Sequence, residues 1–205
     1  MTDQVVLVPG LWLPGAAMGL MAARLSRAGY VTRLFGYRGR SPLEGNVARL
    51  ARFVRDSLQG RPAHFVGHSL GGVLILETLN RHPGIAAASA TLIGAPVGGC
   101  FAGRRLGMAG IGRWMMGASG TLWEPHTATW RREPPLGVIA GTAPWGLGRV
   151  LGRMPEANDG VVCVGETAVE GMAAQALVPL GHSALIFSGR VASLVEKFAA
   201  SGRFE

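Results

Sequence analysis

The sequence predicts an α/β fold: a mostly parallel sheet with helices on both faces. Three observations carry that prediction. Short apolar runs of strand length recur along the chain, at 4–8, 30–35, 63–66, 89–93, 136–140 and 176–180. Stretches with apolar residues at helical spacing lie between several of them. The first run is apolar from Val5 to Val8 rather than alternating, as expected of a strand covered on both faces.

Gln4-Val5-Val6-Leu7-Val8 is the first strand and ends at Pro9-Gly10. From Pro14 to Gly29, Met18, Met21, Leu25 and Ala28 mark one helical face, with Gly29 suited to the position just past the helix end. Tyr30–Phe35 is the second strand. Ser41 is expected to cap the next helix with Pro42 at its first position, and Val47, Leu50, Val54 and Leu58 form its apolar stripe. Ala63–Val66 is the third strand and Val73–Leu79 the helix after it. Ser89–Ile93, Leu136–Ala140 and Ala176–Leu180 complete six strands. A last helix covers about Arg190 to Ala200, with Ser188 as its N-cap. Residues 98–135 break the rhythm, with Trp114, Met115, Met116, Trp123 and Trp130 among many glycines. This segment is either an ordinary crossover whose Trp and Met fill core or a small apolar cap over a pocket.

The 205 residues, 48% of them hydrophobic, suit one domain spanning 1–205. The net charge is +8, nearly all of it arginine, with Lys197 the exception. The arginines are scattered, paired only at Arg104-Arg105 and Arg131-Arg132, and lack the aromatic interleaving of nucleic-acid binders. No nucleic-acid partner is expected. Cys100 and Cys163 are too few for a disulfide framework. No basic segment precedes an apolar one at the start and no run reaches membrane-span length, so a cytoplasmic protein is the expectation. Oligomeric state is not legible.

The chemistry centres on Gly67-His68-Ser69-Leu70-Gly71-Gly72, between the third strand and its helix. A strand, a Gly-x-Ser-x-Gly turn and a helix form a nucleophile elbow: a sharp turn projects the serine hydroxyl, glycines admit the neighbouring backbone, and the helix N-terminus favours developing negative charge. A serine nucleophile needs a base, and the base an orienting acid. Of five histidines, His64 and His68 lie in or beside the strand and point the wrong way. His82 ends the helix, and His126 lies in the irregular segment. His182, in Leu180-Gly181-His182-Ser183, follows the sixth strand at the sheet edge where the elbow sits. Asp159, on the Asn158-Asp159-Gly160 turn, is the expected acid, with Glu156 and Glu166 as near rivals. The order Ser69, Asp159, His182 is then the one this fold uses. Backbone N–H groups of Leu70 and Leu11 are the expected oxyanion donors, and Trp12 is expected to line an acyl pocket.

On Val6–Leu11, Gly67–Gly72, Asn158–Val162 and Gly181-His182-Ser183 with Leu185-Ile186-Phe187, the chain resembles the α/β-hydrolase superfamily, in particular its small lipase-like esterases with six parallel strands. The resemblance covers nearly the whole chain. It implies a minimal α/β-hydrolase fold in which Ser69 attacks, His182 moves protons, Asp159 orients His182, and Leu11 and Leu70 bind the oxyanion. Many members have His-Gly where this chain has Pro9-Gly10, and proline has neither an N–H nor a ring nitrogen with which to brace that loop. The expected activity is hydrolysis of carboxylic esters on a small-molecule ester or acyl substrate. An acyltransferase or thioesterase with the same triad is the alternative within the chemistry, and a non-catalytic binding protein the alternative outside it. A weaker expectation is membrane-surface contact through Trp114-Met115-Met116. No metal is expected, for want of His-x-x-x-His or Cys-x-x-Cys spacing, and no cofactor, because the glycines after the first strand do not make Gly-x-Gly-x-x-Gly.

Overall fold

In a computed structural model, six parallel strands form one sheet. The structure describes residues 3–11, 13–108, 118, 123–144 and 154–205. Strands β1 (Gln4–Val8), β2 (Val31–Leu34), β3 (Ala63–His68), β4 (Ala87–Ile93), β5 (Leu136–Gly141) and β6 (Ala174–Val178) are ordered β2-β1-β3-β4-β5-β6. The chain leaves β1 toward β2 and returns to place β3 on the other flank of β1. That reversal opens a crevice at the carboxyl ends of β1 and β3. The register sets Val8 beside Gly67 and Gly67 beside Leu92, so Pro9 and Ser69 emerge at one level of the sheet edge.

Alternation along the strands divides the core in two. Val6, Val8, Phe65, Leu92 and Val138 face α2 (Leu43–Leu58) and α3 (Leu70–Arg81). Val5, Leu7, Val66, Ile93 and Val178 face α1 (Gly19–Arg27) and α5 (Gly189–Ser201). Helix α4 (Phe101–Met108) stands between β4 and β5. No helix among the described residues is long and apolar enough to cross a membrane.

Local chemistry explains most boundaries. Gly29 takes φ +96° just past α1, where its neighbour Tyr30 donates its N–H to Leu25 O at 3.1 Å. The Ser188 hydroxyl caps α5 by accepting from Val191 N at 3.3 Å. Two boundaries correct the sequence expectation. Helix α2 begins at Leu43 with extended Pro42 as its cap residue, and the Ser41 side chain makes no capping bond. Asn46 binds the carbonyls of Arg38 and Ser41 instead, folding the preceding loop onto the helix. Strand β6 covers 174–178 rather than 176–180, because its ladder to β5 starts at Ala174 and Val178 is paired with Gly141, the last residue of β5. Within residues 98–135, Trp123 and Trp130 are buried in the core on the α2 and α3 side. Trp114, Met115 and Met116 lie outside the described residues.

Candidate active site

Ser69 joins β3 to α3 with φ +53° and ψ −127°, a backbone conformation that costs a non-glycine residue about 1–3 kcal/mol. The turn is held from both sides: Ser69 N donates to Ile93 O at 2.9 Å, and Gly72 N donates to Ser69 O at 2.9 Å. The glycines of the motif are required by close approach. A Cβ on Gly67 would lie 2.6 Å from Gly72 Cα, and one on Gly71 would run into the carbonyls of Pro9 and Val8. Leu70, the first residue of α3, is buried directly behind the serine.

Asp159 and His182 meet at the same edge. Asp159 is 1% exposed, and its Oδ1 accepts from Val161 N at 2.9 Å and Val162 N at 2.8 Å. Its other oxygen, Oδ2, faces His182 Nδ1 at 2.7 Å. A carboxylate oxygen accepts, so Nδ1 carries the proton and donates, leaving Nε2 as the ring's acceptor. The backbones are tied as well, His182 N donating to Asp159 O at 2.9 Å. Gly94, at φ +53°, lies under the pair. A Cβ there would approach Asp159 Oδ2 to 3.1 Å and His182 Nδ1 to 3.3 Å.

Ser69 and His182 line one cavity of about 250 Å³. Its walls are almost wholly apolar: Ala102 and Leu106 from α4, then Trp123, Val161 and Val162, with Leu11 beside Gly10. The structure thus brings together Ser69, Leu70, Asp159, His182 and Leu11. Trp12 lies outside the described residues. Among the described residues, no group of three or more His, Cys, Asp or Glu could hold a metal ion.

A family model described as "Alpha/beta hydrolase family" matches residues 5–198. The chain belongs to the alpha/beta hydrolase family. Solved structures agree with this fold. A mature Bacillus licheniformis lipase, BlEst2, is similar at TM-score 0.74 and 19% identity, over 90% of this chain and 86% of that one. A pyrethroid hydrolase from Sphingobium faniae JZ-2 is similar at TM-score 0.66 and 15% identity, over 98% of both chains. The metagenomic carboxyl esterase MGS0156 is similar at TM-score 0.63 and 21% identity, over 89% of this chain and 65% of that one. Among curated proteins there is no significant match.

Three of the remaining histidines of this hydrolase, His64, His68 and His126, have other partners. His64 Nδ1 pairs with Ser89 Oγ at 2.8 Å inside the sheet, and exposed His126 faces Glu124 O at 2.9 Å. His68 is 2% exposed, its ring 4.7 Å from that of His182, and its Nε2 donates to the His182 carbonyl at 3.1 Å. Burial, then the neighbouring His182, push its pKa down to about 3, so His68 is neutral.

Neither glutamate rival pairs with His182. Glu156 Oε1 accepts from Gly165 N at 3.0 Å. Glu166 Oε2 accepts from Cys163 N at 2.8 Å, and its Oε1 accepts from Phe101 N at the start of α4. Glu166 thereby fastens the pocket-lining helix to the loop that carries Asp159, and burial raises its pKa. Cys100 and Cys163 are buried free thiols, each pushed up to about 12, first by burial and then by the Glu166 charge. Both are protonated at neutral pH. The role of Glu166 was invisible in the sequence, where it is one carboxylate near a turn. Only the fold brings Phe101 to it.

Proposed function

We propose that this hydrolase cleaves carboxylic esters through an acyl-enzyme on Ser69. One observation carries the reading. A buried carboxylate, held on one oxygen by two backbone N–H groups, fixes His182 in the wall of a cavity that a strained serine also lines. Ser69 Oγ attacks the ester carbonyl carbon while His182 Nε2 takes the hydroxyl proton. The carbonyl oxygen becomes the oxyanion, met by the N–H groups of Leu11 and Leu70. As the C–O bond to the alcohol breaks, His182 returns that proton to the leaving oxygen. Water, deprotonated by His182, then attacks the acyl-enzyme and releases the acid and free Ser69. Asp159 keeps the ring oriented and favours its charged form in both steps. The apolar walls suit an acyl or aryl group, with Trp12 proposed as part of that lining. Three structurally similar proteins are described as a lipase, a pyrethroid hydrolase and a carboxyl esterase, which is in keeping with ester substrates.

The test is labelling by a fluorophosphonate probe, wild type beside Ser69→Ala and His182→Ala, followed by a ladder of p-nitrophenyl esters. Labelling and turnover should be present in the wild type. Each substitution should lower kcat by about 10⁴-fold or more. A Ser69→Ala protein labelled as fast as wild type would overturn the proposal. Added alcohol, amine or thiol acceptors in the same assay separate hydrolysis from acyl transfer.

A further inference from the structure

The loop proposed to supply an oxyanion donor, Pro9-Gly10-Leu11, begins with a residue that has no N–H, and it must still present the Leu11 N–H in a fixed direction. Two peptide planes set that direction. The Gly10–Leu11 plane is held on its carbonyl side, where Gly10 O accepts from Leu13 N at 3.3 Å. The C=O and N–H of a trans peptide point oppositely, so this bond turns the Leu11 N–H away from Leu13. The Pro9–Gly10 plane is held by a side chain from the far edge of the sheet: the Tyr37 hydroxyl donates to Pro9 O at 3.0 Å. The same carbonyl lies against Gly71, where a Cβ would strike it, so it is gripped between α3 and Tyr37. Gly10 itself abuts the nucleophile, since a Cβ on it would be 3.0 Å from Ser69 Cβ.

Tyr37 is built for this contact. Its ring stacks on buried Phe35, with centroids 5.9 Å apart and planes 9° apart. Two residues on, Gly39 packs against Leu11, a Cβ there falling 2.7 Å from Leu11 Cδ1. Burial raises the phenol well above its ordinary pKa, so it remains a donor through the range in which an esterase would be assayed.

We propose that Tyr37 is a positioning residue for the oxyanion hole, its hydroxyl fixing the Pro9–Gly10 peptide so that the Leu11 N–H meets the oxyanion on Ser69. The inference rests on the serine-esterase reading and adds to it the element that braces the loop. Bond donation by Tyr37 matters most when negative charge has formed, because a mis-aimed N–H loses little in the ground state and much in the transition state.

The experiment is Tyr37→Phe, which keeps the stacked ring and removes only the donor. Active sites are titrated with fluorophosphonate, so every rate is read per folded molecule whatever the substitution does to yield. On a p-nitrophenyl ester, kcat should fall by about 10-fold to 100-fold with KM within about twofold. The second readout is an alkyl trifluoromethyl ketone, whose carbonyl carbon bonds to Ser69 Oγ while the proton passes to His182 and the ketone oxygen becomes an oxyanion. Its Ki should rise by the factor that kcat/KM falls, while the matching methyl ketone, bound without that bond, keeps its affinity. Unchanged kcat and trifluoromethyl ketone affinity per titrated site would overturn the role of Tyr37 and leave the esterase reading standing. A wild type that neither labels nor turns over esters would overturn the esterase reading itself.

Discussion

His68 sets a pH limit on this protein that can be worked from the structure. It is 2% exposed, and burial holds its pKa at about 3 against an ordinary histidine value of 6.5. In the unfolded chain its ring takes up a proton as pH falls below about 6.5, while in the native protein it stays neutral until near its folded value. The unfolded state therefore binds more protons throughout that window. Stability is full above pH 6.5 and drains as pH falls toward 3. From those two values the loss is about 2 kcal/mol between pH 7 and pH 5, and about 3 kcal/mol by pH 4. At a urea slope of about 2 kcal/mol/M, the first figure lowers the unfolding midpoint by about 1 M. The comparison protein is His68→Gln, which can still donate to the His182 carbonyl but does not titrate. Urea melts of both proteins at pH 7, 6 and 5 give a difference curve from which the other titrating groups cancel. Among these, Glu166 acts in the opposite sense, since its raised pKa favours the native state at low pH. A difference curve that is flat from pH 7 to pH 5 would refute the reasoning, for it would mean that native His68 takes up its proton as readily as the unfolded chain does.

Two further predictions concern the frame of the site. Gly71→Ala places a Cβ against the carbonyls of Pro9 and Val8. It should destabilise by about 2 kcal/mol or more in a thermal melt and abolish fluorophosphonate labelling even where folded protein is recovered. Glu166→Ala frees the N–H groups of Phe101 and Cys163. It should cost about 1–2 kcal/mol, discounted for the half-buried position of the carboxylate. It should also broaden the acyl-chain preference on the ester ladder, with Glu166→Gln, which keeps one acceptor oxygen, lying nearer wild type.

What the sequence made legible follows from how local each cause is. The inner strands were visible because burial on both faces leaves uninterrupted runs such as Val5–Val8, and the elbow because its Gly-x-Ser-x-Gly pattern is contiguous, although Gly71 answers to the distant carbonyls of Val8 and Pro9. The N-cap at Ser188 and the stop at Gly29 are equally local. Ser41 misled because a capping preference competes with tertiary contacts: Asn46 claims the Ser41 carbonyl, and Pro42 takes the cap position. The start of β6 was misplaced because its ladder partner β5, not its own apolar run, sets where pairing begins. Tyr37 escaped altogether, and Glu166 was legible only as a rival acid, not as the tie to Phe101. Their partners, Pro9 and Phe101, are 28 and 65 residues away, and no pattern in one sequence encodes such a pairing.

Three carboxylates lie within eleven residues of one another in the loop before β6, yet only one of them meets His182, and side-chain length explains which. Asp159 Oδ1 accepts the N–H groups two and three residues ahead, an arrangement that a short side chain makes with its own backbone. Using one oxygen on its own turn leaves Oδ2 directed outward, fixed in place at 2.7 Å from the ring. Glu156 and Glu166 carry one more methylene. Glu156 reaches Gly165, nine residues on, and Glu166 spans to another element at Phe101, engaging both of its oxygens. The longer side chains fold and fasten the loop, and the short one, rigid because its own turn holds it, faces the histidine. The Asn158-Asp159-Gly160 turn favours the same division, since Asn158 Oδ1 accepts from Gly160 N at 3.0 Å and pins the residues on either side of Asp159. Rigidity of Asp159 is thus built into a four-residue turn, whereas α4, which lines the pocket beside it, is tied to this loop by a long-range contact from Glu166. Orientation of His182 and placement of α4 are for that reason separable by mutation within the same loop.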